Sequence, residues 1–566
     1  LFDTEKKVKD FSESELHKLL YAEPYAVEVP EGKTTYMKNS EGIARKLENA
    51  VTVRAEDEAS EDDKNAYTKQ FKYSICEHCN GSRINERARS VQVNGVSFDE
   101  LCRMELSDVY AFLEPIKDEL ASTIISKAQF VLEQLIEIGV GYLSLERPVG
   151  SLSGGESQRV KMAKQLDCNL VDMLYVLDEP STGLHPKDTE KLLALLYRLK
   201  DKGNSVFVVE HDPEIIRAAE WIIDIGPKAG KFGGEVVYNG PTAGIAQTES
   251  ITGKYLYSQQ KTVFQRKKAA AFFEITNANA NNLKNVSVNI PKGVLTCVTG
   301  VSGSGKSSLI HDCFAKEHPE AIVIDQSAVG KTSRANPATY LGVFDNIRKE
   351  FASATNTAAS LFSFNSAGAC HKCNGQGMVS MELSFLDAVK TLCDECEGKR
   401  YHAEVLEYKF QGKNIAEVLD MSVAQALEFF RSEKINKHLR LLQAVGLDYL
   451  KLGQSLSTLS GGESQRLKIA TELQKESNIY IMDEPTTGLH VSDIEHFFKI
   501  IKKLVDGNNT VIIIEHNLDI IKHADWIIDM GPAGGKKGGE VLYAGPIEGI
   551  LDCERSITGQ FLQGLI

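Results

Sequence analysis

One run of residues occurs twice in this 566-residue chain, so far apart that a single hydrophobic core cannot hold both copies. Leu152-Ser153-Gly154-Gly155-Glu156-Ser157-Gln158-Arg159 returns as Leu459-Ser460-Gly461-Gly462-Glu463-Ser464-Gln465-Arg466. Asp178-Glu179 returns as Asp483-Glu484 and Glu210-His211 as Glu515-His516, while the only tryptophans are Trp221 and Trp526. Offsets of 305 to 307 residues throughout mean a duplicated domain. In the first copy, Ser153 and Glu156 stand in the S-x-x-E relation that caps a new helix. Apolar strands at Met173–Leu177 and Ile479–Met482 each end in Asp-Glu, and those at 206–209 and 511–514 each end in Glu-His. Carboxylates and a histidine at the carboxyl ends of parallel strands mark the ligand side of an open α/β sheet.

The second copy opens with an element the first lacks. Gly300-Val301-Ser302-Gly303-Ser304-Gly305-Lys306-Ser307 fits G-x-x-x-x-G-K-[ST] at every fixed position. An apolar run from Val294 to Val298 precedes it and Ser308-Leu309-Ile310 follows, giving strand, loop and helix in order. The glycines let backbone N–H groups wrap a polyphosphate at a helix start. Lys306 reaches the terminal phosphates and the Ser307 hydroxyl ligates Mg²⁺, so the chain is expected to bind a nucleoside triphosphate. Gly154 and Gly155, like Gly461 and Gly462, let a phosphate approach a second helix N-terminus closely. None of the 152 residues before Ser153 matches the loop pattern. The expectation is that a twin loop belongs upstream of Leu1, which is not a methionine, and that the chain has at most one competent ATP site.

Six of the eleven cysteines form CxxC pairs: Cys76/Cys79, Cys370/Cys373 and Cys393/Cys396. Clustering of this kind points to metal in a reducing compartment and not to disulfides. The last four have the spacing of a tetrahedral thiolate site for structural Zn²⁺. Cys76 and Cys79 are two ligands without visible partners. A net charge of −14 confines any nucleic-acid binding to a local patch, and no apolar run approaches the length of a membrane span. Residues 106–146 carry helical periodicity, Val91-Gln92-Val93 reads as a short strand, and the acidic run from Glu56 to Asp63 as solvated surface.

The set GxxxxGKS, LSGGESQR and DEPTTGLH with a following EH resembles the ATP-binding cassette pattern. A C-x₂-C-x₁₉-C-x₂-C module between the phosphate loop and the LSGGESQR run is absent from transporter cassettes. Taken together these residues resemble the UvrA family, the damage-sensing ATPases of bacterial nucleotide excision repair. Ile324-Asp325-Gln326-Ser327, Ser333 to Tyr340, Phe364 to Cys370 and Trp526 to Pro532 extend the likeness, which covers nearly everything from Cys76 onward.

The resemblance implies an α/β fold of tandem P-loop cassettes with inserted zinc modules and helical signature subdomains. The expected division is a partial insertion or linker region at 1–75, the carboxyl-terminal part of a first cassette at 76–257, a linker at 258–271 and a second cassette at 272–566. Two cassettes would sandwich ATP head to tail. Gly300 to Ser308 and the Mg²⁺-binding Asp483 would bind nucleotide, Glu484 would activate water, and Gln326 and His516 would contact the γ-phosphate region. Ser153, Gly154, Gly155 and Glu156 would complete that site from the other cassette. The converse site would use Asp178, Glu179, His211 and Ser460, Gly461, Gly462 and Glu463.

The 374–392 segment is expected as a hairpin toward DNA, with Arg83, Arg87, Arg89, Lys331, Arg334, Lys399 and Arg400 as phosphate contacts. Damaged duplex DNA, a UvrB-like helicase and a second copy of the chain are the implied partners, in the cytoplasm. A UvrA-like ATPase protecting against DNA-binding antibiotics is the alternative, and an exporter ATPase is disfavoured by the zinc module.

Overall fold

The computed structural model describes residues 10–23, 25–31, 34–40, 42–45, 74–152, 154–166, 171–227, 230, 233–257, 266–325, 334–383, 386–474, 477–489 and 491–565. The expectations for Ser153, Gln326, Lys331 and the 56–63 acidic run fall outside these residues, as does most of the linker. Two compact units divide at Glu86/Arg87. In the smaller, helix α1 (Glu13–Tyr21) starts at a Ser12/Glu15 capping box, and β1 (Tyr25–Glu31) pairs antiparallel with β2 (Thr34–Ser40). Cys76 and Cys79 lie there on a tight turn, closed by Asn80 N–H donating to the Cys76 carbonyl at 2.7 Å.

The larger unit holds both copies of the repeat. The periodic 106–146 region forms α2 (Leu106–Leu113) and α3 (Ser122–Glu137), which pack around Val109, Leu132 and Val140. The first SGGE run begins α4 (Gly154–Leu166). Then come β3 (Leu174–Asp178), α5 (Pro186–Asp201), β4 (Ser205–Val209), β5 (Trp221–Gly226) and β6 (Glu235–Pro241). Here β3 pairs parallel with β4 and β5 pairs antiparallel with β6, as two separate ribbons.

The second copy completes what these ribbons only outline. An antiparallel pair, β7 (Phe272–Ala278) and β8 (Val286–Pro291), leads into β9 (Leu295–Gly300), every residue of which is buried. Such continuous burial suits a central strand covered on both faces. Strands β10 (Ile322–Ile324), β13 (Ile479–Asp483), β14 (Thr510–Ile514), β15 (Trp526–Gly531) and β16 (Glu540–Pro546) complete a six-stranded sheet in the order β10-β13-β14-β9-β15-β16. All its neighbours pair in parallel except β15 and the edge strand β16. Between β10 and β13 the chain leaves the sheet to form the cysteine module with its hairpin, β11 (Met378–Leu383) and β12 (Leu386–Leu392). It returns through α6 (Glu433–Ala444) and α7 (Gly461–Glu472). The sheet continues through α8 (Val491–Asp506), and the unit closes with α9 (Ile557–Leu562). One large core joins the helical region to one face of the sheet, around Phe351, Leu439, Leu467 and Ile513. A second, around Ile290, Leu309 and Ile528, fills the other face. No helix among the described residues is long and apolar enough to cross a membrane.

Candidate nucleotide and zinc sites

The phosphate loop joins β9 to a helix whose first turns, Ser308–Phe314, are π-helical. Gly300, Gly303 and Gly305 have φ of 129°, 74° and 103°, a region closed to most side chains. A Cβ at Gly300 would overlap the Met530 carbonyl oxygen, so the loop lies flush on β15. Lys306 is buried and donates to the carbonyls of Gly300 (2.8 Å) and Val301 (3.0 Å). Burial lowers its ammonium to about 8, against the pull of Glu484 and Asp483.

The carboxylates arrive from the ends of β13 and β14. The Asp483 carboxylate lies 3.1 Å from His311 Nε2, a contact that raises the imidazole's proton affinity. Glu484 adopts φ +43°, a left-handed conformation held because Gln465 of α7 donates to the carbonyls of both Asp483 and Glu484 at 3.0 Å. Its Oε1 is 3.3 Å from Nε2 of His516, a buried histidine whose pKa is lowered, first by desolvation and then by Lys306. Glu515 accepts the N–H groups of Thr486, His516 and Asn517, which fixes the turn after β14. Burial pushes its carboxyl up to about 7 despite these donors. The first copy repeats the arrangement. Glu179 also has φ +43°, Gln158 donates to the Asp178 carbonyl at 2.6 Å, and His211 Nε2 lies 3.6 Å from Glu179 Oε1.

The two copies meet over this loop. Lys536 N–H donates to Glu105 at 2.5 Å and its ammonium pairs with Asp108 at 3.1 Å, docking α2 beside the loop. The Tyr142 ring covers Gly303 and Gly534, and its hydroxyl donates to Glu156 of the first SGGE run at 2.7 Å. Arg147 holds the other oxygen of Glu156 at 3.1 Å. Gly183 of the first copy faces the Glu484 carboxylate, with a Cβ there falling 2.9 Å from Oε2, and Gly488 faces Glu179 reciprocally at 3.1 Å. In the second copy Ser460 and Glu463 form the capping box, and Tyr449 donates to Glu463 at 2.6 Å.

The four cysteines of the module are buried, with all four sulfurs within 4.8 Å of one another. Cys370 and Cys393 sulfurs are 3.9 Å apart and those of Cys373 and Cys396 3.6 Å. A tetrahedral ion with bonds of about 2.3 Å sets sulfurs about 3.8 Å apart, so the donor set fits Zn²⁺. Among the described residues no comparable cluster includes Cys76 or Cys79. Arg334 Nη2 donates to the Asn374 carbonyl at 2.9 Å, which ties one expected DNA contact to the module. Lys399 pairs with Glu397 at 2.7 Å, and the Arg400 guanidinium lies over the Phe364 ring.

A family described as "ABC transporter" matches residues 283–487, from just before the phosphate loop through the second Asp-Glu run. The UvrABC system protein A of Clostridium tetani is 44% identical over 87% of this chain and 57% of its own length. That of Micrococcus luteus is 41% identical over 100% of this chain and 61% of its own. The crystal structure of UvrA2 from Deinococcus radiodurans superposes with a TM-score of 0.88 at 37% identity, covering 98% of this chain and 75% of that one.

The chain belongs to the UvrA family. It spans about three fifths of the length of these curated UvrA relatives and carries the family's α/β cassette fold with a four-cysteine cluster. Within this UvrA-family site, sequence reasoning missed Tyr142, His185 and His311. Tyr142 and Tyr449 share the offset of the SGGE runs, and His185 and His490 that of the carboxylates, so the repeat marks these positions without showing what they face.

Proposed function

We propose that the chain is the ATP-hydrolysing, DNA-binding core of a damage-recognition protein of nucleotide excision repair, and that it does not itself cut DNA. One observation carries this reading: Tyr142 of one copy lies over the phosphate loop of the other while donating to Glu156, and Gly183 of the same copy faces the Glu484 carboxylate that pairs with His516. A nucleotide held there is sealed from both sides. Lys306 and the loop N–H groups would bind the phosphates, Ser307 and Asp483 would hold Mg²⁺, Glu484 would take a proton from the attacking water, and His516 would orient the reacting end. Mg²⁺ supplies charge neutralisation on the phosphates. Gln326 and the Ser153–Glu156 run are assigned the γ-phosphate side of the same site. The converse set, Asp178, Glu179, His211 and Ser460–Glu463, repeats the carboxylate and signature chemistry without a phosphate loop.

Zn²⁺ at Cys370, Cys373, Cys393 and Cys396 pins the base of the β11–β12 hairpin, since Cys393 N–H also donates to the Gly377 carbonyl at 3.0 Å. Arg334 beside this module is the favoured phosphate contact, in a protein that reads duplex deformation. The relatives' designation as UvrABC system proteins supports a UvrB-like helicase as partner. Reduced thiols suit the cytoplasm, and a second copy of the chain is the proposed dimer partner.

The test measures binding of damaged and undamaged duplexes, with and without ATP. Preference for the damaged duplex that changes with ATP is expected. Equal affinity under all four conditions would sink the repair reading.

A further inference from the structure

The buried histidine at the end of the first copy's Ser181-Thr182-Gly183-Leu184-His185 run has no role in the chemistry above, yet every hydrogen bond it makes is accounted for. His185 is fully buried and caps α5: its Nδ1 accepts the Lys187 N–H at 3.2 Å. A neutral ring accepting at Nδ1 carries its hydrogen on Nε2. That nitrogen lies 3.2 Å from Oγ1 of Thr558, on α9 of the second copy. The Thr558 hydroxyl in turn donates to Asp529 at 3.0 Å, and Ser556 donates to the same carboxylate at 2.6 Å. Thr299 lies 3.4 Å from Thr558 and has Asp529 as its β-sheet partner. Thr299 is the residue immediately before Gly300. The first copy's loop is thus hydrogen-bonded, through one threonine, to the strand ends on which the phosphate loop is built.

The surroundings keep the ring neutral. Burial, followed by the charges of His516 and Lys306, holds His185 well below the ordinary histidine range, which keeps it neutral. Its ring meets His516 edge to face at 6.2 Å and Phe561 at 5.8 Å. Any displacement of the first copy's Gly183–His185 segment therefore reaches His516 and the loop base together. A core histidine serving only stability needs no hydrogen bond to the opposite copy.

We propose that His185 is a positioning residue for the ATP site on the other copy. By donating to Thr558 it locks the phosphate loop and His516 into the reacting arrangement only when the two copies are closed together. The assignment rests on the ATPase reading for its kinetic consequence, and on geometry alone for the tie.

Two measurements on the full chain separate these. In steady-state ATP turnover, His185→Leu and Thr558→Val should each lower kcat by about tenfold with KM changed less than about threefold. The double variant should be no worse than either single one, and His185→Gln, which restores a donor, should recover most of the rate. Amide exchange across Gly300–Ser307 without nucleotide should speed up in H185L and T558V but not in H185Q or T558S. A chain that turns over no ATP at all defeats the ATPase reading, and the exchange data then still decide the tie. Wild-type kcat in H185L, additive losses in the double variant, or unchanged exchange in H185L and T558V would each overturn the proposal.

Discussion

Tyr142 and Gly303 belong to different copies of the repeat, yet a methyl group placed on Gly303 would lie 2.6 Å from a Tyr142 ring carbon. The same ring hands its hydroxyl hydrogen to Glu156. Contact between the copies is therefore read at a glycine that the phosphate loop already requires for its φ of 74°. Gly303→Ala should hinder both at once and lower ATP turnover by at least ~100-fold. Adding Tyr142→Ala should recover a measurable part of the loss that is steric. Tyr142→Phe alone removes a hydrogen bond to a charged acceptor, of order 1.5–3 kcal/mol, and should slow turnover by ~10-fold or more.

The division of labour around Glu484 gives a second expectation. Lys306→Ala should abolish both nucleotide binding and turnover, because in the proposed site the ammonium is the charge that would meet the phosphates. Glu484→Gln keeps the size of the side chain and removes the base, so binding should survive while turnover drops by at least ~100-fold. Isothermal titration beside a phosphate-release assay distinguishes the two variants. Equal binding by both would mean the loop is not the phosphate site.

Lys306 also predicts a proton signal. Its folded pKa is depressed to about 8 from an ordinary 10.5, so between these values the buried lysine is neutral where a free one would be charged. Stability is therefore gained as pH rises through that window and lost as pH falls back through it to about 8. A polyphosphate favours the ammonium, so nucleotide binding above pH 8 should take up a proton and weaken as pH rises. Titrations in two buffers of different ionisation enthalpy read the proton directly. Identical apparent enthalpies at pH 8.5 would contradict it.

For the thiol cluster, elemental analysis should find one zinc per chain held by the four buried cysteines. Cys393→Ser should release it and loosen the β11–β12 hairpin, with increased proteolysis between Met378 and Leu392. Cys76→Ser should leave zinc content unchanged, since Cys76 is exposed and has no cluster around it among the described residues. Full zinc retention in C393S would exclude the four-cysteine site.

Much of this was legible in the chain itself. The loop motif, the strand ends at Asp483 and Glu515, and the Cys370–Cys396 module are local patterns whose spacing carries their chemistry. Tyr142, Glu105 and His185 were not legible, because their meaning depends on which residue of the other copy lies opposite. His311 escaped for a similar reason: one turn along the helix from Ser307, it reads as a face residue until β13 brings Asp483 beside it. The SGGE glutamates were legible as caps. Their tyrosine partners, 14 residues earlier in both copies, were not.

The two separate ribbons of the first copy break the symmetry of the repeat. Val176, Val209, Ile223 and Ile225 are 67, 53, 50 and 66% exposed, whereas their equivalents Ile481, Ile514, Ile528 and Met530 are at most 1% exposed. In the second copy β9 lies between β14 and β15. Among the described residues no strand takes that place between β4 and β5, so chemically equal substitutions will not be equal in effect: an apolar-to-polar change should be tolerated more readily at Val209 than at Ile514.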